Sequence, residues 1–159
     1  MEITIGVDFD NTICLDEWPY VGPELPSAID FLKELKSKGV RLILITQRTI
    51  DYPIYCPELK EYLEETGRAG RPGTVDILSP AIEYCRDRGL EFDFINSNPL
   101  WEAETQDPGR KIYADLYIDD HNFGIQTRPV KNRFGEVCHV IDWDWIKANA
   151  ESTFARYKH

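Results

Sequence analysis

An apolar, β-favouring run containing Ile3, Ile5 and Val7 ends abruptly in Asp8-Phe9-Asp10-Asn11-Thr12-Ile13. Such a run reads as a buried strand, and in extended backbone residues i and i+2 point to one side. Asp8 and Asp10 therefore project together from the carboxyl end of the strand, while Phe9 turns away toward packing. Two carboxylates in one small volume disfavour each other's ionisation unless a cation neutralises them. A hard divalent ion with oxygen ligands, Mg2+ first, is the natural partner. The same string can also end a strand simply as a turn, since Asp and Asn are common there, so the rest of the chain decides.

The next segments build a parallel sheet around that strand. Pro26 or Ser27 opens a helix with Ala28, Leu32 and Leu35 on one face, and Gly39 closes it. Residues 40–45 are then a second apolar run broken only by Arg41. Strand, helix, strand predicts a right-handed βαβ unit. Residues 14–25, rich in proline, read as a loop. Residues 49–73 read as an insertion after the second strand, with a short helix over 58–66 and a flexible basic tip, Gly67-Arg68-Ala69-Gly70-Arg71-Pro72-Gly73. A helix bearing Leu78, Ile82 and Cys85 runs to Gly89 with Pro80 near its start, residues 92–95 form a third strand, and 96–109 form a polar loop. Residues 114–118 are a fourth strand ending in Asp119-Asp120-His121-Asn122. A hairpin turning at Lys131-Asn132-Arg133-Phe134-Gly135 comes next, and Asp142 caps a last helix with Trp143, Ile146, Ala150 and Tyr157 in a stripe. The expected fold class is α/β, a three-layer α/β/α sandwich on a mainly parallel sheet, in a single domain over 1–159.

Length and charge exclude several functions. A chain of 159 residues has room for one real core. A net charge of −10 argues against a nucleic acid polymer as partner, which needs a basic face. No run approaches the ~18 apolar residues of a membrane helix, and no basic start precedes an apolar core in residues 1–20. The expectation is a cytoplasmic protein that does not engage a membrane. Cys14, Cys56, Cys85 and Cys138 form no C-x-x-C pair, which gives a zinc site or a disulfide framework little support.

Thr46-Gln47-Arg48 directly follows the second strand, at the same sheet edge as Asp8. In open parallel sheets that edge binds ligands. A hydroxyl and unpaired backbone N–H groups there can hold a phosphoryl oxygen, although Thr46 could equally be a helix cap. With Lys111 before the fourth strand and Asp119-Asp120 after it, the chain resembles the haloacid dehalogenase superfamily of phosphotransferases over roughly residues 3–123. It is most similar to small members with little or no cap domain. The resemblance implies that Asp8 is a nucleophile forming an aspartyl-phosphate, and that Asp10 protonates the leaving oxygen and then activates water. It implies that Thr46, Gln47 and Lys111 hold the phosphoryl group, and that Asp8, Asp10 through its backbone carbonyl, Asp119 and Asp120 bind Mg2+. Where many members have Gly, this chain has Asn11, which also tolerates the unusual φ of that turn. The implied substrate is a small phosphorylated metabolite, a sugar phosphate or a nucleotide. Arg48, Tyr52, Arg68 and Arg71 are candidate substrate contacts, the last three on an insertion that either covers the site as a lid or decorates the surface. Two alternatives use the same parts: a response-regulator receiver, in which the acceptor Asp and the Lys come in a different chain order, and a protein that binds a phosphorylated ligand without turning it over.

Overall fold

Along the whole of its first strand the chain is buried, as an apolar run without alternation must be when both faces of a sheet are covered. The computed structural model describes residues 3–106 and 111–157. In chain order these form β1 (Thr4–Val7), β2 (Cys14–Glu17), β3 (Tyr20–Glu24), α1 (Ala28–Ser37), β4 (Arg41–Leu44), β5 (Tyr52–Pro53), α2 (Pro57–Thr66), β6 (Thr74–Val75), α3 (Ser79–Asp87), β7 (Phe94–Ile95), α4 (Pro99–Thr105), β8 (Leu116–Ile118), β9 (Thr127–Lys131), β10 (Val137–Ile141) and α5 (Trp143–Phe154). A short 3-10 turn over Ala155–Tyr157 ends the described chain.

The fold is α/β around a four-stranded parallel sheet in the order β7-β4-β1-β8. The chain steps from β1 to β4 to β7 in one direction and then returns to the other side of β1 for β8. Strand order therefore reverses between β1 and β8, and a crevice for ligands opens where the connections part. Gly6, on the central strand, lets its neighbours close in. A Cβ there would lie 2.5 Å from Ile45 Cδ1 and 3.0 Å from Tyr117 Cδ1. The main core gathers Ile5, Val7, Leu42 and Leu44 of the sheet with Ala28, Leu32 and Leu35 of α1, on the predicted face, and Trp143 of α5.

Three expectations are corrected. Residues 14–24 are a hairpin, β2 paired with β3, rather than a loop. Its prolines do not prevent pairing, because a two-stranded ribbon has an open side on each strand where no N–H is needed. Gly22 is the position the pairing depends on, since a Cβ there would sit 2.0 Å from Leu15 O. The polar loop after the third strand contains α4, started by Asn98, whose side chain accepts from Trp101 N, with Pro99 in the first turn. The insertion carries its own structure. β5 pairs with β6, and Leu59, Tyr62, Val75 and Ile77 form a second small core joined by Trp18, Tyr20 and Tyr52. At its tip Asp51 accepts from Arg71 N and Nε. Gly70 is packed so closely that a Cβ would meet Ile50 O at 2.4 Å. The last helix is capped by Asp142 as predicted, but Tyr157 lies beyond it in the 3-10 turn, and Phe154 packs against the core instead.

Candidate active site

The loop after β1 is held in place by its own side chains and by α5. Asn11 takes φ 58°, the left-handed conformation that turns the chain back. Its carboxamide oxygen accepts from Asp16 N, and its backbone O accepts from Ile141 N. Buried Trp143 donates its indole N–H to Thr12 O at 2.7 Å, tying α5 to the same loop. Thr12 donates its hydroxyl to Asp8 Oδ2 at 3.3 Å.

Asp8 leaves β1 at the reversal point, directly beside the end of β8, with Asp8 N donating to Ile118 O. Asp119 and Asp120 follow that strand, so the two acidic clusters meet. Burial, with Asp119 and then Asp120 adding repulsion against the Phe9 N–H, pushes the Asp8 carboxyl up to about 8. Burial also raises Asp120. Its side chain is only 7% exposed, and its Oδ1 is buried with no hydrogen-bond partner; His121 Nδ1 stands 3.3 Å away without donating to it. One donor atom from each of Asp119, Asp120 and His121 lies within 4.8 Å of the others. An orphaned, buried carboxylate oxygen among other carboxylates is the donor set of a hard cation, and the residues present fit one.

Asp10, two residues on, has the opposite surroundings. Arg48 Nε donates to its Oδ2 at 2.9 Å and Nη2 to its Oδ1 at 2.7 Å. The remaining guanidinium N–H groups go to the carbonyls of Pro19, Tyr20 and Ile77. All five donors are used, and the side chain is 2% exposed. Arg48, named from its sequence position as a candidate substrate contact, lines the pocket with its donors already taken and joins the first loop, the hairpin tip and the segment at Ile77. No local pattern reveals this, because its partners lie 28 to 38 residues away.

A pocket of about 620 Å3 is lined by Asp8, Asp10 and Asp119, with Asp16, Trp18, Tyr52 and His121 also on its walls. Thr46 and Gln47 line it as expected. Thr46 Oγ1 accepts from Arg48 N, which leaves its hydroxyl hydrogen to donate, and Thr46 N is bound by the carboxamide of Asn96. Asn96 itself has φ 51°, and no motif in the sequence marks it as part of the site. Lys111 is not brought into the pocket; Ile112 lines it instead. The exposed Lys111 ammonium lies 4.5 Å from the centroid of the Tyr117 ring, where the ring face attracts it. Arg68 and Arg71 are also elsewhere, because each is taken by an acid of the insertion or of α3: Arg68 pairs with Glu83 through both Nη atoms, and Arg71 with Asp51. Among the described residues no helix is long and apolar enough to cross a membrane.

No family model matches the chain, and no curated protein matches it. Among solved structures, a conserved protein coded by a locus of Bacteroides thetaiotaomicron is similar at 31% sequence identity and a TM-score of 0.63, over 100% of this chain and 99% of that one. The chain belongs to one family with that protein.

Proposed function

We propose that the protein is a Mg2+-dependent phosphomonoester hydrolase of the haloacid dehalogenase type, built as a three-layer α/β/α sandwich, that works through an aspartyl-phosphate on Asp8. One observation carries the reading: Asp8 and the Asp119-Asp120 pair converge at the reversal of strand order, with the Asp8 carboxyl pushed up to about 8 and Asp120 Oδ1 unpartnered. Carboxylates crowded at a ligand crevice are a functional arrangement more often than a structural one. Asp8, Asp119 and Asp120 would hold the ion, which when bound would supply the positive charge that favours an ionised Asp8 and a phosphate dianion beside it.

The remaining steps fall to the chain's own residues. An ionised Asp8 oxygen attacks phosphorus in line, forming a P–O bond as the bond to the leaving oxygen breaks. Thr46 donates its hydroxyl to an equatorial phosphoryl oxygen, which stabilises charge in the transition state. Asp10 gives the leaving oxygen its proton and later takes one from water, whose oxygen attacks phosphorus and frees the Asp8 carboxylate. The Arg48 fork takes one lone pair on each Asp10 oxygen and leaves the other to carry the proton, so it sets where the carboxylate waits. The same fork favours a second reading, a protein that binds or accepts a phosphoryl group without turnover, because both Asp10 oxygens are engaged as acceptors.

Phosphate release from p-nitrophenyl phosphate separates the two. Turnover with Mg2+, abolished by EDTA and reduced by roughly 10^4-fold or more in Asp8→Asn, is the expected result. Full activity in Asp8→Asn or in metal-free buffer overturns the mechanism, and binding of phosphate without release by the wild type selects the second reading.

A further inference from the structure

Taking the phosphohydrolase reading as its basis, the geometry points to a substrate whose phosphate is esterified to a group bearing a flat ring and no second anion, with the ring held against Trp18 and Tyr52. The pocket is far larger than a phosphate needs. At about 620 Å3 it falls within the roughly 300–1,000 Å3 of sites that enclose a whole small molecule.

Its charge distribution limits what fills the rest. Asp8, Asp10, Asp16 and Asp119 all line it. Among the described residues, the one arginine or lysine on its walls is Arg48, whose five N–H groups are already bound to Asp10 and three carbonyls. His121 is the other group there able to carry positive charge, and its ring is 89% exposed beside Asp119 and Asp120. One phosphate can be balanced by an ion held on the acids. A second phosphate or a carboxylate would share the pocket with Asp16 as well and find no free arginine or lysine among the described lining residues, and like charges so confined repel.

The walls also supply an apolar surface. Trp18 and Tyr52 stand edge to face with ring centroids 5.7 Å apart. Both pack on the small core of Leu59, Tyr62, Val75 and Ile77, and Trp18 N is fixed by Asp16 Oδ1 at 3.0 Å. The aromatic wall is thus in place before a ligand arrives, so little ordering entropy is lost on binding. Stacking of one base on such a ring contributes a factor of roughly 5 to 150 in affinity.

The test compares three probes in Mg2+: adenosine 5′-monophosphate, ribose 5-phosphate, which lacks the ring, and adenosine 3′,5′-bisphosphate, which adds an anion. Phosphate release is measured on the wild type, and dissociation constants are measured by calorimetry on Asp8→Asn, which cannot turn the probes over. The monophosphate is expected to exceed each of the other two by about tenfold or more in kcat/KM and in affinity, and Trp18→Leu or Tyr52→Leu to shrink its margin over ribose 5-phosphate several-fold. Equal or better binding of ribose 5-phosphate or of the bisphosphate overturns the inference, as does failure to bind the monophosphate. If p-nitrophenyl phosphate is hydrolysed and no ring preference is found, only this inference falls. If the binding preference is found without any hydrolysis, the inference survives as ligand selection, and it is the catalytic reading that fails.

Discussion

At the crevice between β1 and β8, Asp8, Asp119 and Asp120 face one another, and one buried carboxylate oxygen accepts no hydrogen bond, with His121 Nδ1 3.3 Å away. On the wall of the same pocket, where the hairpin tip meets the segment at Ile77, Asp10 has both oxygens matched to a guanidinium that is itself saturated. On the proposed reading the first region takes a cation from outside, whereas the second brings its own. Two carboxylates on one strand end can thus be set to different tasks by what the distant chain delivers to each, one left to recruit a charge and the other held in a fixed direction.

Exchanging the carboxylates for amides probes that division most strongly. Asp10→Asn should lower phosphate release by roughly 10^2 to 10^4-fold, while phosphate-analogue binding in Mg2+ is retained. An Asp10→Asn enzyme as fast as the wild type would show that Asp10 is only a structural partner of Arg48.

Arg48 bears on the closed side of the comparison. Arg48→Met strands Asp10 and three carbonyls, and breaking a buried pair costs about 3–5 kcal/mol. The lower end applies here, because Asp10 is 25% exposed. Urea unfolding should show the loss, and Arg48→Lys should restore only part of it, since a lysine cannot reproduce the planar fork. Wild-type stability in Arg48→Lys would mean that charge alone suffices.

The open side is tested by pH. With the folded Asp8 raised to about 8 from an ordinary 3.8, its contribution to stability in metal-free protein is complete below about pH 4 and is lost as pH rises through 8. Mg2+ competes with that proton, so the thermal shift it produces should grow between pH 6 and 9. In Asp8→Asn the metal-free melting temperature should depend less on pH, and the Mg2+ shift should persist without growing as pH rises. A shift independent of pH in the wild type would detach the ion from Asp8.

The smallest effect is expected at the insertion tip. Arg68→Ala and Arg71→Ala remove ion pairs on the surface, where solvent screens them, and should leave phosphate release within about twofold. A selective rise in KM would return them to the site.

How much of this is legible in the sequence depends on how local the cause is. β1, α1 and β4 are readable because an unbroken apolar run and an i, i+4, i+7 stripe carry their own burial pattern. The meeting of Asp8 with Asp119 and Asp120 follows from two apolar strands that both end in acids. The β2–β3 hairpin is hidden by its prolines, although Gly22 between Val21 and Pro23 is a trace of it. Helix α4 has a readable signal in Asn98-Pro99, a cap followed by a first-turn proline. Lys111 and Arg48 mislead for one shared reason: a cationic side chain goes to whichever partner the tertiary fold offers, a ring in one case and a carboxylate with three carbonyls in the other.

Arg48 also bears on how the molecule assembles. Its five hydrogen bonds are satisfied only when the first loop, the hairpin tip and the segment at Ile77 have all arrived. Any state in which one of them is detached carries a desolvated guanidinium with idle donors, which is costly in a dry interior. Partly formed versions of the pocket are therefore penalised relative to both the complete and the fully unfolded chain. The hairpin and the insertion are therefore expected to melt with the central sheet as one cooperative unit, which amide exchange checks by equal protection in the three.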